Sequence, residues 1–193
     1  MKRIIQILLS IFICLNLAQC DSTTAEEYKA QAIRYAESGE RAKAIDAYIK
    51  AADKGNSEAQ FIVGILYQVG DAIPNNTVNK DIDKSISYLE NALNDDIYMA
   101  AYFLGKIYEC ENEYLSKPRA AKCYEVAYNR GSLSAGLALA TLYIFNGEFG
   151  EYDYGIQLNR DVSEAISQNG LNPQDEKSII DYDILKSIGL LRL

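Results

Sequence analysis

The chain has 193 residues, 49% of them apolar, which is enough for one domain with a substantial core and excludes a disordered chain. It contains no histidine, and this removes the commonest general base and metal ligand while leaving carboxylate chemistry open. The net charge is −8; after the first 19 residues, which hold Lys2 and Arg3, 17 basic and 27 acidic residues give −10. Such acidity excludes nucleic acid as a partner and favours solubility, or a basic protein partner.

The first 19 residues are predicted to be a signal peptide. In "MKRIIQILLSIFICLNLAQC", a charged start at Lys2 and Arg3 precedes a mostly apolar run from Ile4 to Leu17. That run is shorter than the ~20 apolar residues of a bilayer-spanning helix, and the polar "DSTTAEEYK" follows it at once. The pattern indicates export rather than a permanent membrane span, with residues 20–24 as a short linker.

The end of this segment resembles the bacterial lipobox, in which a leucine lies three positions before a cysteine that becomes lipidated. Leu17, Ala18 and Cys20 match, whereas Gln19 stands where glycine, alanine or serine is usual. The resemblance implies a lipid anchor on Cys20 and a periplasm-facing place in a bacterial cell envelope. Cleavage by the ordinary signal peptidase, giving a soluble periplasmic protein, and no cleavage both stay open. Asp21 resembles an inner-membrane retention signal, a rule that depends on the organism.

Three similar stretches follow along the chain: "AQFIVGILY" (59–67), "AAYFLGKIY" (100–108) and "AGLALATLY" (135–143). Their spacing is helical, and the sixth residue of each is in turn Gly64, Gly105 and Ala140. A glycine inside a helix costs about 1 kcal/mol relative to alanine, so we expect it to permit a close helix contact. We call the helix that each of these stretches predicts an A helix. In the A helices, Gly105 should then lie near Ala120 and Ala121, and Gly64 near Ser85.

A second type of helix, the B helix, alternates with the A helix. Its copies align on a tyrosine, in turn Tyr48, Tyr88 and Tyr124. These tyrosines recur in register with the ones that close the A stretches, so we assign both sets to packing between helices. Gly55 and Gly131 are predicted to end their helices in the left-handed conformation, with Asp96 in that place in the middle copy.

The periodicity predicts an all-α protein. We expect helices at 24–37, 41–54, 57–69, 81–94, 97–110, 117–130, 133–146 and 152–168, and a last helix near 174–188. They pair into antiparallel hairpins at 25–56, 57–96, 97–132 and 133–168, followed by a C-terminal cap at 169–193.

The alternation resembles the Sel-1-like repeat family of the tetratricopeptide superfamily, whose unit reads A-x-x-x-L-G-x-x-Y, a loop, then K-A-x-x-x-Y/F-x-x-A and a closing glycine. The match is strong at 57–96 and 97–132 and weaker at 133–168, while 25–56 is more like a plain tetratricopeptide hairpin. The resemblance implies a right-handed superhelical stack, an α-solenoid of about four antiparallel hairpins plus a C-terminal capping helix.

In tetratricopeptide relatives the A helices line a concave binding face. By register, this implies a protein partner bound by Phe61, Gln68, Tyr102, Lys106, Glu109 and Thr141. Three further positions in the same rows fit packing between hairpins equally well: Ile65, Leu137 and Ile144. The sequence predicts no catalytic, cofactor-binding or metal-binding residue, because it has no nucleophile–base pair, phosphate loop or metal-ligand spacing.

Two cysteines lie beyond the signal segment, Cys110 and Cys123. The hairpin register places Cys123 opposite residue 104, roughly 9 Å along the helix axis from Cys110 and beyond comfortable disulfide reach. We therefore favour two partly buried thiols, with a disulfide as the open alternative.

These features favour a non-enzymatic protein–protein interaction module of the bacterial envelope, with another protein as its partner. One specific hypothesis, an immunity protein against a secreted toxin, rests on family analogy alone. The alternative is a scaffold or regulator of envelope assembly or signalling. An enzyme is the third and least favoured class.

Overall fold

A computed structural model of the protein describes residues 22–70, 78–145 and 151–169. Within these ranges the chain forms eight helices and no strand: α1 (Ala25–Glu37), α2 (Arg41–Asp53), α3 (Ser57–Val69), α4 (Ile82–Asn94), α5 (Met99–Cys110), α6 (Lys117–Asn129), α7 (Leu133–Phe145) and α8 (Tyr152–Asn169). Every bound lies within two residues of its prediction, so the all-helical expectation is confirmed.

Polar side chains fix where several helices begin. The Thr24 hydroxyl accepts from the Glu27 amide, and the Glu27 carboxylate accepts in return from the Thr24 amide, which makes a capping box before α1. Asn56 caps α3 in the simpler way, by accepting from the Ala59 amide at 2.8 Å. Such contacts satisfy amides that have no partner inside the helix.

The turns that lead from a B helix to the next A helix have the predicted left-handed residue. Gly55 has φ of +90°, Gly131 has φ of +102°, and Asp96 takes their place in the middle copy with φ of +66°. After Asp96, the Ala100 amide donates a 2.9 Å hydrogen bond to the Ile97 carbonyl, which closes a turn. Helix α5 therefore begins at Met99, two residues later than predicted. The repeat is therefore marked by its turns as well as by its helices.

Consecutive helices pack against one another through the described chain, giving the hairpins α1–α2, α3–α4, α5–α6 and α7–α8. In addition, α3 contacts α5, the A helix of the next hairpin, where the rings of Phe61 and Phe103 meet edge to face at 5.4 Å. Every residue from 59 to 66 is buried, so α3 is enclosed by its neighbours. The architecture is an all-α solenoid.

The glycines of the A helices allow the predicted close approach, but to different neighbours. A Cβ atom at Gly105 would lie 2.5 Å from Cε1 of Tyr124, and one at Gly64 would lie 2.7 Å from Cγ of Leu89. The predicted neighbours, Ala120 and Ser85, lie four residues before these side chains. Long side chains on a helix lean toward its N-terminus, so Tyr124 and Leu89 cover the places assigned to the smaller residues.

The last hairpin also has a close contact between its two helices at a glycine, but here the glycine lies on the B helix. Its A helix has Ala140 where the earlier copies have glycine, and its B helix contributes Gly155 instead. A Cβ atom at Gly155 would lie 3.1 Å from the Ala140 carbonyl oxygen and 2.9 Å from Cβ of Tyr143. The degenerate copy thus keeps a helix contact that requires glycine, with the glycine on the partner helix.

The signal peptide, Cys20 and the final predicted helix at 174–188 lie outside the described residues, as does all but the first residue of the predicted cap. Within the described part, none of the helices is long and apolar enough to span a bilayer.

Candidate functional site

The A-face is the row of side chains that the register assigns to the binding side of the A helices. Its members are Phe61, Ile65 and Gln68 on α3, Tyr102, Lys106 and Glu109 on α5, and Leu137, Thr141 and Ile144 on α7. The three copies differ in how much of this row is accessible. The difference follows from what packs against each helix.

On α3 the apolar members of the A-face belong to the core. Phe61 is 2% exposed and packs on Phe103, and Ile65 is 5% exposed. The assignment of Phe61 to a partner surface is therefore corrected, because α5 covers it. For Ile65 the packing alternative fits its burial. Gln68 lies at the end of this helix and is half-buried.

On α5 three A-face residues form a connected, half-buried cluster. The Tyr102 ring centroid lies 5.4 Å from that of Phe103 and 5.9 Å from that of Tyr124. The Tyr124 hydroxyl donates to the Glu109 carboxylate at 2.6 Å, and Lys106 Nζ lies 3.3 Å from the same Glu109 oxygen. One carboxylate thus holds a buried phenol and a partly exposed ammonium, and it fixes the geometry of the cluster.

Burial and neighbouring groups shift the pKa values of two residues in and against this cluster. Burial lowers the pKa of Lys106, but the Glu109 carboxylate together with Cys110 and Tyr102 raises it, and the net shift is upward. Burial and then the hydrogen bond to Glu109 raise the pKa of Tyr124 well above its usual range. At neutral pH the face therefore presents a charged lysine beside a neutral, hydrogen-bonded phenol.

The A-face has one polar member on each of its other two helices. Gln68 on α3 has a buried Oε1 with no hydrogen-bond partner among the described residues. On α7, Thr141 is exposed, and its hydroxyl donates to the Leu137 carbonyl at 2.8 Å. Leu137 and Ile144 are half-buried. Of the predicted partner-binding residues, Thr141 is exposed, Phe61 is buried, and the rest are half-buried: Gln68, Tyr102, Lys106 and Glu109.

Tyrosine–carboxylate bonds between successive hairpins are contacts that the sequence did not reveal. Tyr88 on α4 donates to Asp53 on α2 at 2.5 Å, and Tyr143 on α7 donates to Glu125 on α6 at 3.0 Å. The acids are exposed and sit on helices other than the tyrosine's own, so no local pattern marks them. Burial, and then these bonds, raise the pKa of both tyrosines. Their role is to tie one repeat to the next.

The two cysteines are free thiols, in agreement with the favoured prediction. Cys123 is half-buried as predicted, but Cys110 is exposed. Burial raises the pKa of the Cys123 thiol to about 11. Within the described residues, no group of three or more cysteine and carboxylate side chains could hold a metal ion.

A concavity with a volume of about 490 Å³ lies outside the A-face, beside the B helices α2 and α4. Its lining comes from α2, the end of α3 and the segment before α4: Asp46, Ile49, Tyr67, Val78, Asn79, Lys80, Asp81 and Lys84. Each charged group is already paired, Asp46 with Lys50 at 2.8 Å and Lys80 with Glu111 at 2.8 Å among them. Among the described residues that line it, none has a buried polar side-chain atom without a hydrogen-bond partner, so the A-face remains the stronger candidate.

No family model and no curated protein matches this chain. A crystal structure of a Sel1 repeat protein from Oxalobacter formigenes resembles it with a TM-score of 0.56 and 22% identity, over 75% of this chain and 60% of that one. The crystal structure of c5321, a protective antigen of uropathogenic Escherichia coli strains with an SLR fold, resembles it with a TM-score of 0.55 and 15% identity. This match covers 76% of this chain and 33% of that one. The chain has the Sel1-like repeat fold and spans about three-fifths and one-third of these two proteins.

Proposed function

We propose that this protein is a non-enzymatic protein-interaction module that binds a partner protein on the A-face, centred on Tyr102, Lys106 and Glu109. The observation that carries the proposal is the preorganised cluster on α5. A half-buried tyrosine ring lies beside a lysine and a glutamate whose positions are fixed by hydrogen bonds within the protein. Tyrosine is typical of binding hot spots, because it buries a large ring and keeps a polar tip.

The surroundings of the cluster support a protein partner rather than a small molecule. Exposed Thr141 and half-buried Leu137 and Ile144 extend the A-face along α7, so the surface mixes polar groups with apolar area. Such a mixture is typical of transient protein interfaces. Since the chain carries −10 after residue 19, a partner with a basic surface would associate faster.

The experiment is a comparative capture from bacterial envelope extract. Residues 21–193 and the double variant Tyr102→Ala, Lys106→Ala serve as baits, and the captured proteins are identified by mass spectrometry. We expect a protein that the wild type retains and the variant loses. Equal capture by both baits, with the variant folded by circular dichroism, would place binding elsewhere.

We further propose that the protein is exported and anchored to the bacterial cell envelope by a lipid on Cys20. The support is the charged start, the short apolar run and the lipobox-like "LAQC". Several acyl chains would bind a membrane firmly, because each buried methylene contributes about 0.8 kcal/mol. Labelled palmitate should enter the wild-type chain and be absent from Cys20→Ala. Equal labelling, or none in either, would leave a soluble periplasmic protein as the better account.

Within this function the specific proposal is an immunity protein that blocks a secreted toxin, and the alternative is a scaffold or regulator of envelope assembly. An anchored, acidic, single-domain binder suits the first role. The two differ in a simple readout: an immunity protein lies beside a toxin gene and rescues cells from that toxin, whereas a scaffold retains envelope proteins and gives no protection.

A further inference from the structure

In each of the first three hairpins, a cation lies over a tyrosine ring near the end of the A helix. The cation is attracted to the electron-rich face of the ring, an interaction that extends to about 6 Å from the ring centroid. The three pairs, with the distance from cation to centroid, are Lys43 over Tyr35 at 5.5 Å, Lys84 over Tyr67 at 5.0 Å and Arg119 over Tyr108 at 5.6 Å. The contact therefore recurs in every hairpin before the last.

The two partners of this contact occupy fixed positions in the hairpin. The tyrosine is the third residue from the end of its A helix, and the cation is the third residue of the B helix that follows. In the last hairpin these positions belong to Tyr143 on α7 and Tyr154 on α8. A second tyrosine thus stands where the earlier hairpins have a lysine or an arginine.

Tyr154 contacts Tyr143 ring against ring. The two centroids are 5.7 Å apart, and the ring planes meet at 61°. Tyr143 is only 5% exposed and donates its hydroxyl to Glu125 of α6 at 3.0 Å, whereas Tyr154 is 50% exposed. The aromatic surface that a cation could reach in this hairpin is therefore the ring of Tyr154, on the side of α8 that faces α6.

The charged groups that act on Tyr154 are all acidic among the residues that the structure describes. Burial raises the pKa of the Tyr154 hydroxyl, and nearby carboxylates raise it further. These carboxylates belong to Glu125, Glu151 and Asp161, which are exposed and form no ion pair within the described ranges. The sequence has no lysine or arginine from residue 131 to residue 159. The last hairpin thus combines the ring with countercharge but lacks the cation.

We propose that Tyr154 and the three carboxylates around it, together named the Tyr154 site, bind an arginine or lysine side chain from a basic segment of a partner protein. That side chain takes the role that each earlier hairpin fills with a cation of its own. The ring attracts the cation at its face, and the carboxylates balance its charge. The Tyr154 site shares no residue with the A-face, so each can be tested alone.

The test measures how a fluorescein-labelled hexa-arginine peptide binds the full chain in non-ionic detergent. Fluorescence anisotropy is recorded at low ionic strength, where exposed charges are weakly screened. The decisive variant is Tyr154→Lys, which gives the last hairpin the cation of the earlier ones. We expect its Kd for the peptide to rise at least about fivefold, because the ring is lost and the carboxylates gain a cation. The control Ser87→Lys adds the same charge at an exposed position on α4 and should raise Kd less than about twofold.

A second variant removes the ring without changing the charge. Tyr154→Leu should raise Kd about threefold, because the attraction between cation and ring is lost. Tyr152→Leu, an exposed tyrosine on the opposite side of α8, should leave Kd unchanged. Thermal unfolding midpoints within a few degrees of wild type would show that every variant is folded. Failure of the peptide to bind wild type, or an equal rise of Kd in a variant and its control, would overturn the proposal.

Discussion

Gly105 lies directly against the ring of Tyr124, so that a Cβ atom on Gly105 would be 2.5 Å from Cε1 of that ring. The ring cannot move away freely, because its hydroxyl is held by Glu109 at 2.6 Å. A glycine in mid-helix and a buried tyrosine on the facing helix are thus two halves of one contact. The contact connects the core of the repeat to the A-face.

Gly105→Ala should destabilise the protein by about 1–3 kcal/mol, since the added methyl group overlaps the Tyr124 ring. Helix propensity alone predicts the opposite, a gain of about 1 kcal/mol. Urea unfolding followed by circular dichroism separates the two. The exposed substitution Ser87→Ala on α4 controls for propensity. In a Tyr124→Leu background, Gly105→Ala should lower the free energy of unfolding by less. An unchanged loss there would show that the methyl group does not contact the ring.

Tyr124→Phe should change how stability depends on alkaline pH. The folded-state pKa of Tyr124 is raised, so its contribution is fully present below the unfolded pKa of about 10 and is lost as the pH rises above it. At pH 7 the variant should be less stable by about 1–2 kcal/mol, for the lost hydrogen bond. The difference should narrow between pH 10 and 11, as measured by urea unfolding at each pH. A constant difference would contradict the raised pKa.

The two cysteines should differ in reactivity. Burial raises the pKa of Cys123 to about 11, so little thiolate forms at pH 8, whereas Cys110 is exposed. Iodoacetamide should therefore label Cys110 at least about tenfold faster than Cys123, as followed by peptide mass spectrometry. In denaturant the two rates should become similar. Failure of both residues to react, even when unfolded, would indicate a disulfide.

The helices and turns were predictable because their signals are local. Gly55, Asp96 and Gly131 occupy left-handed positions that few other residue types tolerate, and the apolar spacing repeats in each copy. The partner of Gly105 was not predictable from register alone. The register identifies which backbone segments face each other, but the lean of a side chain such as Tyr124 decides which residue fills the gap.

The sequence predicted which positions form the A-face, but not which of them are exposed. Equivalent positions have equal register but unequal surroundings: Ile65 on α3 is 5% exposed, whereas Thr141, at the same position on α7, is exposed. Burial at a given position depends on which neighbouring helices pack on it, and α3 is packed on by α5 as well as by α2 and α4. The hydrogen bond from Tyr124 to Glu109 depends in the same way on two helices meeting. A motif within one helix contains neither fact.

The most direct test of the binding account is a calorimetric titration of the captured partner into three forms of residues 21–193. These are the wild type, Tyr102→Ala with Lys106→Ala, and a control that removes the same residue types from the B helices, Tyr152→Ala with Lys122→Ala. The account predicts that Kd rises at least about tenfold, or 1.4 kcal/mol, in the A-face variant alone, with midpoints of thermal unfolding within a few degrees. An unchanged Kd in that variant, or an equal loss in the control, would contradict it.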